Sequence, residues 1–271
     1  MINNFEENIG VLDSGVGGLS VLSELVKLMP NKNYIFFGDT KNLPYGTKTK
    51  EEIFTFTREI MEYFLTQNVK NIVIACNTTS AVAFEELKTF FEGKLNIFPL
   101  IQLASGFAIE NLKDGDTIAI FATKATINSK KYNEEIRKIN PNINVIGIDC
   151  TGLVEIVENR LYEDPEALEL IKSKIDIAKE YNAKKIVLGC THYPYLVDIF
   201  KRFYDVEYFN PAKCVSKIVK ETIETKDSKN PKIRFMVSKN PEEFKLSAKT
   251  FFDIKDEVRV LDPSTLEKSK V

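Results

Sequence analysis

Apolar residues in this chain gather into short runs that alternate with longer stretches of helical period. Ile9-Gly10-Val11-Leu12 is compact and bounded by turn residues, which predicts a strand buried on both faces, as in a parallel sheet. Asp13-Ser14-Gly15-Val16-Gly17-Gly18 follows as a turn. Leu19, Leu22, Leu25, Val26 and Met29 then share one helix face, and Pro30 marks the end of that helix. Tyr34–Phe37 reads as a second strand. The loop after it carries Gly38-Asp39-Thr40 and Pro44-Tyr45-Gly46-Thr47, long and polar enough to be functional. Residues 50–68 are helical, with Ile53, Phe56, Ile60 and Phe64 on one face. A third strand starts at Lys70, runs through Ile74 and Ala75 and meets Cys76-Asn77-Thr78-Thr79; a helix is predicted from about Ser80 to Phe91. Strand and helix in alternation specify an α/β layer with a mostly parallel sheet.

The second half repeats this plan. Ile118–Thr123 stands 109 residues after Ile9–Ser14, Asn144–Asp149 stands 111 after Asn33–Gly38, and Cys190 stands 114 after Cys76. Helical patterns follow each repeated strand at Lys130–Ile139, Leu153–Arg160 and Leu196–Tyr204, and another helix, Pro165–Tyr181, precedes the Cys190 strand. Three matches in order at nearly constant offset predict two similar α/β domains related by a pseudo-two-fold axis. Residues 1–98 plus 209–271 are assigned to the first, with Cys76, and 99–208 to the second, with Cys190. Ligands of parallel sheets sit at the carboxyl ends of strands, where both cysteines fall, so the site is expected in the cleft between the domains. Beyond residue 205 the pattern weakens. A helix is expected from Ala212 to about Glu224, an exposed turn over 225–232, a strand at Ile233–Ser238, a helix at Pro241–Phe252, and a polar tail that frays after Asp262.

Composition narrows the function. With 44% hydrophobic and 28% charged residues the chain is a soluble globular protein rather than a disordered or membrane one. Thirty-seven basic against 39 acidic residues leave a formal charge of −2, which gives no electrostatic case for a nucleic-acid partner. No apolar run reaches membrane-spanning length, and MINNFEENIG lacks the flank and core of a signal peptide, so a cytoplasmic location is expected. Cys76, Cys150, Cys190 and Cys214 are then free thiols. The one histidine, His192, lies two residues after Cys190.

The glycine-rich turn at 13–18 is no dinucleotide site, because Ser20 stands where the third glycine belongs, and it has no phosphate-loop lysine. A metal would need three or four ligands, and Cys76, Cys190 and His192 give three at most in an unusual spacing. A lone cysteine at a strand end is ordinarily a small buried hydrophobe. Duplicated contexts followed by Asn77-Thr78 and Thr191-His192 argue for chemistry instead. A hydrolase with Cys76 as nucleophile and His192 as base is one reading; a binding module with merely packed cysteines is another. A third is a racemase, in which two thiols face one carbon, one removing a proton and the other delivering one to the opposite face, without a cofactor. Only this last reading explains both cysteines and the duplication. Cys150 and Cys214 have no accompanying motif and are given a structural role.

The stretches Ile9–Gly18, Gly38-Asp39-Thr40 with Pro44-Tyr45-Gly46-Thr47, Ala75-Cys76-Asn77-Thr78 and Leu188-Gly189-Cys190-Thr191-His192-Tyr193-Pro194 resemble glutamate racemase, of the aspartate/glutamate racemase superfamily. The resemblance runs from about residue 9 to 215, with a weaker echo at Phe235–Phe252. It implies an isomerase that makes D-glutamate for peptidoglycan, so for cell-wall biogenesis and cell shape, with no cofactor and no metal, as a homodimer. It implies Cys76 and Cys190 as the catalytic thiols, with Cys76 acting on D-glutamate and Cys190 on L-glutamate. Asp13 and His192 would assist them, one on each side. Ser14, Tyr45, Gly46, Asn77, Thr78 and Thr191 would hold substrate, and Glu158 would support the histidine. Departures lie at Ala122, Thr79 and Gln102-Leu103-Ala104-Ser105-Gly106, where the family usually has other residues. Aspartate remains the rival substrate.

Overall fold

The computed structural model describes residues 7–265. In chain order the elements are β1 (Asn8–Asp13), α1 (Leu19–Leu28), β2 (Asn33–Gly38), α2 (Lys50–Thr66), β3 (Val69–Ile74), α3 (Asn77–Val82), α4 (Phe84–Phe90), β4 (Asn96–Pro99) and α5 (Leu100–Ala108). The chain continues through β5 (Thr117–Ala122), α6 (Lys124–Ser129), α7 (Lys131–Ile139), β6 (Asn144–Asp149), α8 (Leu153–Glu158), α9 (Pro165–Glu180) and β7 (Ala183–Gly189). It ends with α10 (Val197–Phe203), β8 (Glu207–Phe209), α11 (Pro211–Thr222), β9 (Ile233–Val237), α12 (Pro241–Ala248) and β10 (Val258–Val260).

These strands form two sheets with parallel pairings throughout. One has the order β10-β9-β2-β1-β3-β4 and the other β6-β5-β7-β8. The run β2-β1-β3-β4 and the run β6-β5-β7-β8 have the same connectivity, so the repeated pattern in the sequence is a repeated topology; β9 and β10 extend the first sheet alone. The likeness reaches an irregularity. Between Asn8 and Ile9 the partner on β3 jumps from Val69 to Asn71, and between Thr117 and Ile118 the partner on β7 jumps from Ala183 to Lys185. The residue after each jump, Asn71 or Lys185, is a buried polar side chain.

β1, β2, β3, β5 and β7 are covered on both faces, which is why they read as apolar runs. Successive side chains take opposite faces. Ile9, Val11, Tyr34, Phe36, Ala119, Phe121, Ile186 and Leu188 join one large core that runs through both halves. Leu12, Ile35 and Phe37 face a second core under α2 and α4, and Ile118, Ile120 and Val187 a third that includes Tyr132 and Ile136.

Several boundaries differ from expectation. The helix expected from Ser80 begins at Asn77 and breaks at Ala83 into α3 and α4. The Lys130–Ile139 helix is preceded by a separate α6, because Lys130 takes a left-handed conformation at φ 56° that interrupts the ladder. A 3-10 turn at Tyr193–Leu196 precedes α10, with Pro194 removing a backbone donor. The helix expected to reach Phe252 ends at Ala248. Within the turn at 225–232, Thr225 and Ser228 are buried, because Lys32 reaches the Thr225 carbonyl and pairs with Asp227 at 2.9 Å. β4, α5, β8 and β10 were not foreseen. The fraying tail lies, beyond Thr265, outside the described residues.

Candidate active site

Two strand ends, one from each sheet, face a common cavity of about 80 Å³. Cys76 follows β3 and Cys190 follows β7, and both line it. So do Asp13, Ser14, Tyr45, Gly46, Asn77, Thr78, Glu158, Thr191 and His192. Every site residue expected from the sequence is thus at one place. Cys150 and Cys214 are buried elsewhere and do not line it.

Cys76 sits at the N-cap of α3 in an extended conformation, where its sulfur accepts the Thr79 backbone N–H at 3.5 Å. Its Sγ lies 3.8 Å from Ser14 Oγ. Burial pushes its thiol up to about 11, and the nearby Asp13 carboxylate pushes the same way. Asp13, at the end of β1, is almost fully enclosed. Its Oδ2 accepts backbone N–H groups from Gly15 at 3.1 Å and Gly18 at 2.9 Å, which explains the acid at the head of a glycine-rich turn. Burial raises its carboxyl above the ordinary range, against the His192 charge and those N–H groups.

Cys190 has a different neighbourhood. His192 Nδ1 lies 3.7 Å from its sulfur, and Nε2 of the same ring lies 3.0 Å from Glu158 Oε1 on α8. Burial disfavours the imidazolium, but Cys190 and Glu158 together outweigh burial and carry His192 up to about 10. His192 thus lies between a cysteine sulfur on one side and a carboxylate on the other, both of which favour its charged form. The repeat makes the contrast sharp. At the registers of Asp13 and Ser14 the second half has Ala122 and Thr123; at the register of His192 the first half has Thr78. Each half supports its cysteine from a different place.

The polar residues around the thiols are themselves held. Tyr132 donates its hydroxyl to Asn77 Oδ1 at 2.8 Å. Thr78, Thr123 and Thr126 form a hydroxyl cluster with separations of 3.1, 3.4 and 3.1 Å, joining α3 to the start of α6. Ser20 on α1 donates to the Thr191 carbonyl at 3.0 Å. The Tyr45 hydroxyl donates to buried Asp39 at 2.7 Å, and Ser238 donates to the other carboxylate oxygen at 2.6 Å. That fixes the 3-10 turn at Tyr45–Thr47 and commits the Tyr45 hydroxyl to Asp39. Thr123, Tyr132 and Ser20 were not singled out from the sequence. Thr123 had a usable signal, since it stands 109 residues after Ser14, at the offset of the repeat. Among the described residues no three His, Cys, Asp or Glu side chains are arranged to hold a metal ion, and no helix is long and apolar enough to cross a membrane.

Comparison with known proteins points the same way. The Asp/Glu/hydantoin racemase family model matches residues 9–218. The chain is 38% identical over 263 residues to glutamate racemase 2 of Caldanaerobacter subterraneus subsp. tengcongensis, covering 94% of this chain and 97% of that protein. It is 40% identical over 199 residues to a glutamate racemase of Clostridium botulinum, covering 73% and 75%. The crystal structure of glutamate racemase from Francisella tularensis in complex with D-glutamate superposes with a TM-score of 0.88 at 30% identity, over 96% of this chain and 99% of that one. With two parallel α/β sheets, and with relatives of this closeness over nearly its whole length, the chain belongs to the glutamate racemases of the Asp/Glu/hydantoin racemase family, enzymes of the isomerase class.

Proposed function

We propose that this protein interconverts L- and D-glutamate by two-thiol proton transfer at Cα, with Cys190 acting on the L enantiomer and Cys76 on the D enantiomer. The observation that carries the reading is that two strand-end cysteines at equivalent positions of a duplicated unit line one cavity. With L-glutamate bound, the Cys190 thiolate takes the α-proton and becomes a thiol. The carbanion left behind delocalises into the α-carboxylate. The Cys76 thiol then gives its proton to the opposite face and is left as thiolate. D-glutamate runs the same steps backwards, and a second turnover of the same enantiomer requires Cys190 to lose a proton to solvent and Cys76 to regain one. His192 stabilises the Cys190 thiolate as a neighbouring cation. Asp13, whose carboxyl burial raises above its ordinary value, serves as the proton exchange partner of Cys76. Ser14, Asn77 and Thr191, with backbone N–H groups of the Tyr45–Gly46 turn, are the groups that orient the substrate's carboxylates and ammonium.

A Cys–His hydrolase is the weaker reading, because His192 lies beside Cys190 and not beside Cys76. Glutamate is favoured over aspartate because the relatives at 38% and 40% identity are glutamate racemases. The same reading includes D-glutamate supply for peptidoglycan, a cytoplasmic setting, a homodimer, no cofactor, and domains at 1–98 plus 209–271 and at 99–208. The test is purified protein in D2O without added cofactor, assayed on L-glutamate and on L-aspartate. Deuterium should enter Cα of glutamate as it racemises. Absence of exchange and of racemisation would refute the proposal; faster turnover of aspartate would reassign the substrate. Cys76→Ser and Cys190→Ser should each lose about a thousandfold or more in kcat.

A further inference from the structure

The neighbourhood of His192 includes a segment that lies outside both cysteine motifs. α12 is seated on the first sheet: Phe244 packs on Phe36 with ring centroids 5.8 Å apart. Past its end the chain turns, with Phe251 and Phe252 both donating backbone N–H to the Ala248 carbonyl at 2.8 Å. The two adjacent rings then go to different halves. Phe252 packs on Phe235 of β9 at 5.8 Å. Phe251 crosses to the other half, where its ring stands perpendicular to the His192 imidazole at 5.3 Å and to the Tyr195 ring at 4.7 Å.

Phe251 is 6% exposed, so its ring is committed to this contact. The hydrogen bonds around it reinforce the crossing. Arg160 Nε donates to Thr250 Oγ1 at 3.1 Å, two residues beyond Glu158. The Tyr195 hydroxyl reaches the Phe251 carbonyl at 3.5 Å. Phe251 therefore holds His192 directly, and Thr250 ties down Arg160, just past the end of the helix that carries Glu158. The His192–Glu158 pair needs holding, because Glu158 is the last residue of a helix of only 6 residues and its side chain is 36% exposed.

We infer that Phe251 is a positioning residue for the base on the L-glutamate side: its ring fixes the plane of His192 so that Nδ1 stays directed at Cys190 while Nε2 stays on Glu158. Among the described residues, the ring of Phe251 packs on His192 and Tyr195 of the second half and not on Cys76 or Asp13, so the effect is one-sided. This inference rests on the two-thiol reading. A ring packed at 4.5–7 Å stabilises mainly by geometry, and a small misplacement of a proton-transfer group costs roughly ten- to a hundredfold in rate.

The experiment compares wild type, Phe251→Leu, Phe251→Trp and Cys190→Ser, using L- and D-glutamate carrying deuterium at Cα. Phe251→Leu keeps the site apolar and removes the ring. It should lower kcat/KM about tenfold or more, with thermal unfolding close to that of wild type. The primary isotope effect on kcat should rise for L-glutamate, because removal of its proton becomes more limiting, and should fall or stay level for D-glutamate. Phe251→Trp should restore both. Wild-type rates in Phe251→Leu, or isotope effects that change equally for the two enantiomers, would overturn the inference and leave Phe251 a core residue. Full activity in Cys190→Ser would instead overturn the two-thiol reading, and the two failures are told apart by which variant shows them.

Discussion

Gly17 and His192 approach more closely than a methyl group allows. A Cβ on Gly17 would fall closer than 3.0 Å to Thr191 Oγ1 and to Cε1 and Nδ1 of His192. The turn after β1 is thus pressed against the motif after β7, and a glycine is what makes that contact possible. Gly17→Ala should lower kcat/KM by about a hundredfold, because the groups that must yield are those that serve Cys190. Steady-state rates alongside thermal unfolding check this; near-wild-type turnover would show that the second-half motif has slack there.

Thr49→Ala gives the converse case. Thr49 and Glu52 form a reciprocal capping box at the start of α2, and neither lines the cavity. Its loss should lower Tm by about 2 to 4 °C and leave kcat and KM unchanged.

The alkaline behaviour of His192 has a definite sign. Its pKa in the folded protein lies above the ordinary value, at about 10, so the stability it contributes is whole below about pH 6.5 and is lost as pH rises through 10. Burial opposes this charge, while Cys190 and Glu158 support it. In Glu158→Gln the folded pKa falls, so the Tm deficit relative to wild type should be large at pH 7 and shrink towards pH 10.5. The alkaline limb of activity should also move to lower pH. Parallel Tm curves for the two proteins would contradict the pairing.

Cys76 should be a slow thiol. Burial, then Asp13, raises its pKa to about 11, so its thiolate fraction grows about tenfold per pH unit below that value. Alkylation by iodoacetamide, followed at Cys76 by mass spectrometry, should climb steadily from pH 7 to 10. Asp13→Asn removes a negative charge, lowers the thiol pKa and should speed the modification at any fixed pH. An unchanged rate in that variant would separate Asp13 from Cys76.

Enantiomers have equal free energy in water, so racemisation has an equilibrium constant of one, and kcat/KM must be the same in both directions for wild type and for every variant. The different surroundings of Cys76 and Cys190 therefore cannot appear as a difference in kcat/KM at any pH. They should appear in kcat and KM taken separately. Asp13→Asn and His192→Asn should raise the α-deuterium isotope effect for opposite enantiomers, D-glutamate in the first case and L-glutamate in the second. A rise for the same enantiomer in both would refute the division of labour.

Much of this architecture is legible in the sequence because strands buried on both faces must be apolar throughout, and because the unit is repeated. What escaped was short or broken by a polar residue. β8 and β10 are three-residue edge strands, and β4 is a four-residue edge strand ending in Pro99. Their length leaves no pattern to read. α5 packs against both α7 and α11 and buries Leu100, Ile101, Ala104, Ser105 and Ala108, a stripe of only nine residues' length interrupted by polar Ser105 beside Gly106. α3 begins one residue after Cys76 because a thiol caps it, and cysteine is not among the usual capping side chains. The site residues stood out where they lay in motifs. Thr123, Tyr132 and Phe251 act through neighbours that only the folded chain brings near.

The shared jump in register at Asn8/Ile9 and at Thr117/Ile118 bears on origin. A bulge interrupts pairing and nothing in the hydrophobic pattern demands it. Two sheets assembled independently have no common reason to place one at the same point, whereas one ancestral unit copied in tandem does. On that descent the molecule began with identical halves and two equal thiols. Asp13 where the other copy has Ala122, and His192 where the other has Thr78, then record how the copies drifted apart while still obliged to serve mirror-image forms of one compound.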